Sequence, residues 1–293
     1  MPTAAINGTE IYYETYGSGF PLVFVHGGYG GLGTGAAPSN PGWLDQFTDD
    51  FEVILYDRRS SGRSGFPEAP HTMEQFATDI AELLKHLGHE RAHVWGTSAG
   101  GPITIQFGLS YPEMAASLVV TDTAPWLTQD EEIKARLKER IAILEADGVD
   151  AAYAARRESG TVGLQLFAAS RPAADEAEAR QREERAAAIR AQLGAIPREE
   201  RIAKYAGELR TYGAYVDWDA TDTFGTLAMP VLVFYGTGDT VFPNVDWASL
   251  AARGDQITYR EFAGAEHGAA GSGPEALDEI RDFTRRHTPA LAG

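Results

Sequence analysis

Apolar residues in this chain gather into short runs, and longer amphipathic stretches separate them. Leu22–Val25, Val53–Tyr56, Ala92–Trp95, Leu118–Ala124, Met229–Tyr235 and Ile257–Phe262 each read as a strand, several of them apolar enough to be covered on both faces. Between the second and third of these, Phe76, Ile80, Leu83, Leu84 and Leu87 line one face of a helix opened by the capping box Thr72-x-x-Gln75. That helix joins two strands, which makes a βαβ unit. Ile103–Phe107 predicts a helix after the third strand, and Glu275–Arg286 predicts one that closes the chain. The pattern implies an α/β protein with a mostly parallel central sheet flanked by helices. Sites in such sheets lie at the carboxyl ends of the strands.

The alternation stops after Ala124 and resumes near Thr226–Met229. The stretch between is rich in Ala, Glu and Arg. Thr128-x-x-Glu131 reads as a capping box, with Ile133, Leu137, Ile141 and Leu144 at helical spacing behind it and Gly148 as the stop. A second helix is predicted from about Ala173 to Leu193, ending before Gly194 and Pro197, with Arg180–Arg185 as a solvated face. An all-helical insertion between core strands is expected to lie over the site as a lid. The organisation expected is therefore core over 1–124, lid (cap) over 125–218 and core again over 219–293.

Charge sharpens this division. The net charge is −17, yet residues 125–218 hold 17 acidic and 15 basic side chains, so nearly all the excess lies in the core. A core this acidic repels phosphate backbones and anionic lipid, so neither nucleic acid nor a membrane is an expected partner. A length of 293 residues suits one core with an insertion. The absence of cysteine excludes disulfides, thiol catalysis and thiolate metal sites. No apolar run reaches the length of about 18 residues needed to span a bilayer. The opening Met1–Ala5 has neither basic nor apolar signal regions, so the expected setting is cytoplasmic.

Candidate chemistry centres on Gly96-Thr97-Ser98-Ala99-Gly100-Gly101, which lies between a predicted strand and a predicted helix. Strand, Gly-x-Ser-x-Gly and helix form the nucleophile elbow of serine hydrolases. The turn leaves no room for a Cβ two residues either side of the serine, Gly101 allows close packing of the helix on the strand, and Pro102 fits the first helical turn. Partners follow in the order Ser, Asp, His. Asp239 sits in Gly236-Thr237-Gly238-Asp239 at a strand's end, and His267 sits in Gly264–Gly268 after the next strand. Acyl transfer also needs donors for the developing oxyanion. The N–H of Ala99 and the N–H of Gly28, in the loop His26–Gly31 after the first buried strand, are the expected pair.

Together these stretches resemble the α/β-hydrolase superfamily, in its branch of cofactor-free, lid-bearing serine esterases and related hydrolases. Ala4–Tyr13 is similar to that family's opening hairpin, and Asp57-Arg58-Arg59-Ser60-Ser61-Gly62-Arg63-Ser64 to its Asp-x-Arg-Gly-x-Gly-x-Ser motif, with Ser60 where the family usually has Gly. Proline iminopeptidases also carry a His-Gly-Gly loop, but this chain has Tyr29 where they have Pro and Thr97-Ser98-Ala99 where they have Gly-Ser-Trp. The resemblance implies an α/β-hydrolase fold and hydrolysis of an ester, lactone or related acyl bond of a small molecule. It implies Ser98, Asp239 and His267 as the catalytic triad, Gly28 and Ala99 as the oxyanion hole, and neither cofactor nor metal.

Alternatives on the same residues are an aminopeptidase or amidase, a carbon–carbon hydrolase, a perhydrolase, or a ligand receptor with vestigial hydrolysis. Asp122 also ends a strand and is the second candidate for the acid. His86, His89 and His93 have metal-like spacing but fall at the opposite edge, where structural roles are expected. Arg58, Arg59 and Arg63 are expected to tie down their turn by pairing with carboxylates. Oligomeric state and the identity of the substrate stay open.

Overall fold

The computed structural model describes residues 2–30, 42–159, 176, 179–180, 183–184 and 196–289. Its strands are β1 (Thr3–Ile6), β2 (Thr9–Tyr16), β3 (Phe20–Val25), β4 (Phe51–Tyr56), β5 (Ala92–Thr97), β6 (Ala115–Thr121), β7 (Val231–Gly236) and β8 (Ile257–Phe262). They form one sheet in the order β1-β2-β4-β3-β5-β6-β7-β8. Only β2 runs antiparallel to its neighbours; β4 through β8 pair in parallel. Asn7 and Gly8, both at positive φ, make the tight link between β1 and β2.

Helices among the described residues are α1 (Met73–His86), α2 (Gly100–Ser110), α3 (Glu131–Asp147), α4 (Val149–Ser159), α5 (Arg198–Tyr215), α6 (Trp247–Ala251) and α7 (Pro274–His287). Parallel strands need cover on both faces, and side-chain alternation supplies it. Val23, Ile54, Val94, Val120 and Val233 point to the face packed by α1 and α2, through Phe76, Ile80, Leu84, Ile103 and Phe107. Leu22, Val53, Trp95, Val119 and Leu232 point to the other face, against Leu277, Ile280 and Phe283 of α7. Each such side chain contributes about 1.5–3 kcal/mol on burial. The capping box of α1 forms as expected, with Thr72 Oγ1 accepting from Gln75 N–H at 3.1 Å and Gln75 Oε1 accepting from Thr72 N–H at 3.1 Å.

Helices α3, α4 and α5 all lie between β6 and β7 and share a small core of Leu144, Ala152, Tyr205, Ala206 and Leu209. Exit and return of this segment are pinned side by side. Trp126 and Asp219 form a β-bridge, and Ala220 N–H donates to Pro125 O at 2.8 Å.

Three expectations need correction or completion. The cap of α3 is Asp130 rather than Thr128: its carboxylate accepts from Glu132 N–H at 2.9 Å and Ile133 N–H at 3.2 Å, while Thr128 Oγ1 takes the Asp130 N–H at 3.1 Å. A carboxylate is favoured there because the helix N-terminus carries partial positive charge. Gly101 makes room for the Thr123 side chain, 2.4 Å from where a Cβ would stand, and not for strand β5. The predicted helix over 173–193 falls outside the described residues, except that residues 176, 179–180 and 183–184 are helical and exposed. Gly148 does end α3, at φ 85°.

Candidate active site

Ser98 stands between β5 and α2 with φ 51°, a left-handed conformation that costs a non-glycine residue about 1–2 kcal/mol. The turn is held by Ser98 N–H donating to Thr121 O at 3.0 Å and by Gly101 N–H donating to Ser98 O at 2.9 Å. A Cβ at Gly96 would lie 2.3 Å from Thr104 Oγ1, and one at Gly100 would lie 2.1 Å from Val25 O. No side chain fits either place, so the glycines of the motif are steric requirements.

Asp239 follows β7 and is almost fully buried. Its Oδ1 accepts from Val241 N–H at 2.8 Å and Phe242 N–H at 2.9 Å, and its Oδ2 lies 2.8 Å from His267 Nδ1. Burial alone would raise its pKa. The hydrogen bond and charge of His267 and the two backbone N–H donors outweigh that, and the carboxyl is held below its ordinary range. An ionised Asp239 can only accept, which assigns the proton to His267 Nδ1 and leaves Nε2 to accept from Ser98 Oγ–H at 3.0 Å. The Phe242 ring, 5.7 Å from the imidazole centroid, covers one side of the pair.

Asp122 is placed differently. It accepts backbone N–H groups from Gly268 at 3.1 Å, Ala270 at 3.0 Å and Gly271 at 3.1 Å. It therefore braces the loop that follows His267, and burial pushes its pKa up against those donors.

The loop after β3 reaches the serine directly, since a Cβ on Gly27 would lie 3.0 Å from Ser98 Cβ. His26 is buried, and its Nε2 accepts the Arg58 backbone N–H at 3.2 Å, so Nδ1–H donates to Gly27 O at 2.8 Å. Burial, helped by the nearby Arg58 charge, drives the His26 pKa well below its ordinary value and keeps the ring neutral. Gly28 takes φ 79°. Among the described residues, neither the Gly28 N–H nor the Ala99 N–H meets an intramolecular acceptor. Gly31, the end of this loop in the sequence, lies outside the described residues.

The three arginines divide. Arg59 pairs with Asp79 at 2.6 Å in the interior, and Arg63 lies 3.5 Å from Asp57 and 3.4 Å from Glu14. Arg58 departs from the expected carboxylate pairing: it is buried and binds the carbonyls of Gly27 (3.2 Å) and Gly28 and the hydroxyl of Tyr215 (3.1 Å). Its neighbour Ser60 adopts φ 57°, which explains why glycine suits that position of the motif.

Helix α5 lies against this loop. Tyr212 stacks on Tyr29 with centroids 4.5 Å apart, and Tyr215 meets Tyr29 edge-on at 5.2 Å. Tyr215 O–H donates to Ala99 O at 2.6 Å. By contrast Tyr153 and Tyr205 pack on each other, and Trp218 Nε1–H donates to Gln106 Oε1 at 2.8 Å. A cavity of about 660 Å³ opens between α3, α5 and residues 68–71, and neither Ser98 nor His267 lines it. Of the spaced histidines, His93 bonds Ser117 and Thr288, His89 pairs with Glu52 at 3.0 Å, and His86 packs on Tyr13.

Residues 21–274 match the α/β hydrolase fold family. The chain belongs to that family. It is similar to "Putative carbamate hydrolase RutD" of Caulobacter sp. (strain K31), 29% identical over 283 residues that cover 95% of this chain and 96% of that protein. It is 26% identical to "Non-heme chloroperoxidase" of Streptomyces lividans, with 93% of this chain and 94% of that one covered. Among solved structures, a thermophilic esterase from Thermogutta terrifontis superposes with a TM-score of 0.67 at 25% identity, covering 97% of each chain. The chain is thus an enzyme of the α/β-hydrolase superfamily with a hydrolytic role. Among the described residues, no helix is long and apolar enough to cross a membrane.

Two residues at the site make contacts that the sequence pattern does not assign: Tyr215 and Arg58. Tyr215 stands in the sequence among the large aromatic side chains of residues 125–218, some of which are expected to face the triad. Its contact with Ala99 depends on α5, which is not among the expected helices although Ile202, Tyr205, Ala206, Leu209 and Tyr212 recur at helical spacing after the acidic first turn Glu199-Glu200. Arg58 shares its turn with Arg59 and Arg63, and what separates it from them is that among the described residues it has no carboxylate partner.

Proposed function

We propose that the chain is a serine hydrolase that cleaves a carboxylic ester, lactone or related acyl bond of a small molecule through an acyl-enzyme on Ser98. The observation that carries this reading is the single imidazole of His267 bridging Asp239 (2.8 Å) and Ser98 (3.0 Å) at the carboxyl edge of the sheet. Ser98 Oγ attacks the acyl carbon while its proton passes to His267 Nε2. The bond to the leaving group breaks and that group takes the proton from Nε2. Water then attacks the acyl-enzyme, gives its proton to Nε2, and Ser98 leaves with that proton restored. Asp239 fixes the ring's tautomer and balances the imidazolium. The N–H groups of Gly28 and Ala99 stabilise the oxyanion in both halves of the reaction.

Residues 125–218 act in this reading as a lid. The paired strand-like ends at Trp126 and Asp219, and the contact of Tyr212 and Tyr215 with Tyr29, support that role. A relative named as a carbamate hydrolase and a neighbour titled as an esterase are both consistent with attack on an acyl carbon bearing a heteroatom leaving group.

The test is hydrolysis of a panel of p-nitrophenyl esters, lactones, carbamates and amino-acid arylamides by wild type and Ser98→Ala. Loss of one triad member is expected to cost several powers of ten in kcat without unfolding the protein. Full activity of Ser98→Ala on every substrate that wild type cleaves would overturn the proposal.

A further inference from the structure

Among the described residues, every hydrogen bond of Arg58 ends on a neutral group, which is unusual for a guanidinium only 1% exposed. Among the described residues no carboxylate pairs with it, although Arg59 and Arg63 beside it both have one. A buried cation without a counter-charge is destabilising, so its retention calls for a functional reason.

Its partners supply that reason. The Arg58 guanidinium and His26 Nδ1–H both donate to Gly27 O. That carbonyl belongs to the same peptide unit as the Gly28 N–H, so two donors on the oxygen fix the plane of the unit and polarise its N–H. Arg58 also holds Gly28 O, the next carbonyl along the loop. On its other side, Arg58 donates to the Tyr215 hydroxyl at 3.1 Å, and Tyr215 O–H donates to Ala99 O at 2.6 Å. Tyr215 is fully buried, and burial pushes its pKa up to about 12, so it remains a donor at neutral pH.

We propose that Arg58 and Tyr215 are positioning residues that clamp the Gly28 and Ala99 backbones into one oxyanion-binding frame, with Tyr215 making that frame depend on the seating of α5. The inference rests on the serine-hydrolase reading above. Charge develops on the oxyanion only in the transition state, one peptide unit from Arg58, and there it supplies the counter-charge that the resting site lacks. The clamp therefore acts on turnover and not on substrate binding.

The test uses full-length wild type, Tyr215→Phe, Arg58→Met and the double variant. For each, the rate of phosphonylation by a fluorophosphonate probe is measured beside kcat and KM for a p-nitrophenyl ester, with thermal unfolding as the folding control. Tyr215→Phe is expected to lower kcat and the phosphonylation rate together, about tenfold, with KM within a factor of two. Arg58→Met is expected to lower both about a hundredfold, and the double variant is expected to be no worse than Arg58→Met alone. Should Arg58→Met fail to fold, Tyr215→Phe decides the question by itself, because it removes one oxygen and keeps the ring. Unchanged phosphonylation and kcat in a folded Tyr215→Phe would overturn the clamp, as would a change confined to KM. Absence of a probe adduct on Ser98 in wild type would instead overturn the serine-hydrolase reading, so the two failures are distinct.

Discussion

Asp239 and Asp122 both end strands near the His267 loop, yet their surroundings give them different work. Asp239 meets an imidazole nitrogen and is held ionised. Asp122 meets three backbone N–H groups of residues 268–271 and has its pKa raised by burial. Replacing Asp239 by Asn leaves a hydrogen bond to the ring but favours the wrong tautomer, and the corresponding change in serine proteases costs about 10⁴ in kcat. Replacing Asp122 by Asn turns one acceptor oxygen into a donor facing a backbone N–H, which loosens the loop without touching the imidazole's tautomer. Steady-state kinetics at pH 8 are therefore expected to show Asp239→Asn crippled by thousands-fold and Asp122→Asn by about tenfold, with the latter also losing thermal stability. A larger kcat loss in Asp122→Asn would move the acid's role to the earlier strand. At this scale the sequence already pointed to Ser98, Asp239 and His267, because elbow and strand-end turns are written in glycines and chain order. It offers Arg58 only as one of three turn-pairing arginines and Tyr215 only as one of several lid aromatics, because their contacts lie 30 to 157 residues apart in the chain.

Strands were the most legible elements, since each buried run is bounded by turn residues and β8 was foreseen to the residue at Ile257–Phe262. Helices packed on the sheet were legible for the same reason: α1 carries both its capping box and an apolar stripe. The segment between β6 and β7 was read less well. Helix α3 buries a narrow face, with only Leu137 and Leu144 buried, so its periodic signal is weak and its ends depend on capping chemistry. There two acceptors compete, Thr128 and Asp130, and the charged one takes the cap. Asp130→Ala removes the oxygen that accepts both the Glu132 and Ile133 N–H groups in the first turn of α3 and is expected to cost about 1 kcal/mol of local stability. Amide hydrogen exchange checks it: protection is expected to fall in the first turns of α3 and stay unchanged in β5 and β6. Equal protection of α3 in both proteins would return the cap to Thr128.

The molecule as a whole holds an acidic core and a nearly neutral helical segment, and its response to acid sets two effects against each other. Net charge falls in magnitude as pH drops toward the sequence pI of about 4.8, which relieves repulsion among the carboxylates. Three buried histidines work the other way. Burial drives His26 well below its ordinary value; burial and the nearby Arg59 and Arg210 charges bring His71 to about 4; burial, with His287 and Arg91 close by, brings His93 to about 3. An unfolded chain protonates such rings near 6.5, whereas the folded chain keeps them neutral until the pH falls to those lower values. Across that window the unfolded state binds more protons, so stability is full above about pH 7 and is lost as pH falls. Each ring contributes a slope of up to about 1.4 kcal/mol per pH unit. Surface repulsion is spread over many exposed charges and is screened beyond about 8 Å at physiological salt, so the histidines win there. Asp79 and Asp122, whose pKa values are raised, act with the opposite sign, starting from the ordinary aspartate value, and a difference measurement removes them. Urea midpoints at constant salt are expected to fall steadily from pH 7 to pH 5 in wild type. They are expected to fall less steeply in His93→Gln, which keeps a polar side chain beside Ser117 and Thr288 but cannot take up a proton. Parallel pH profiles for the two proteins would show that the buried His93 ring is not what acid attacks.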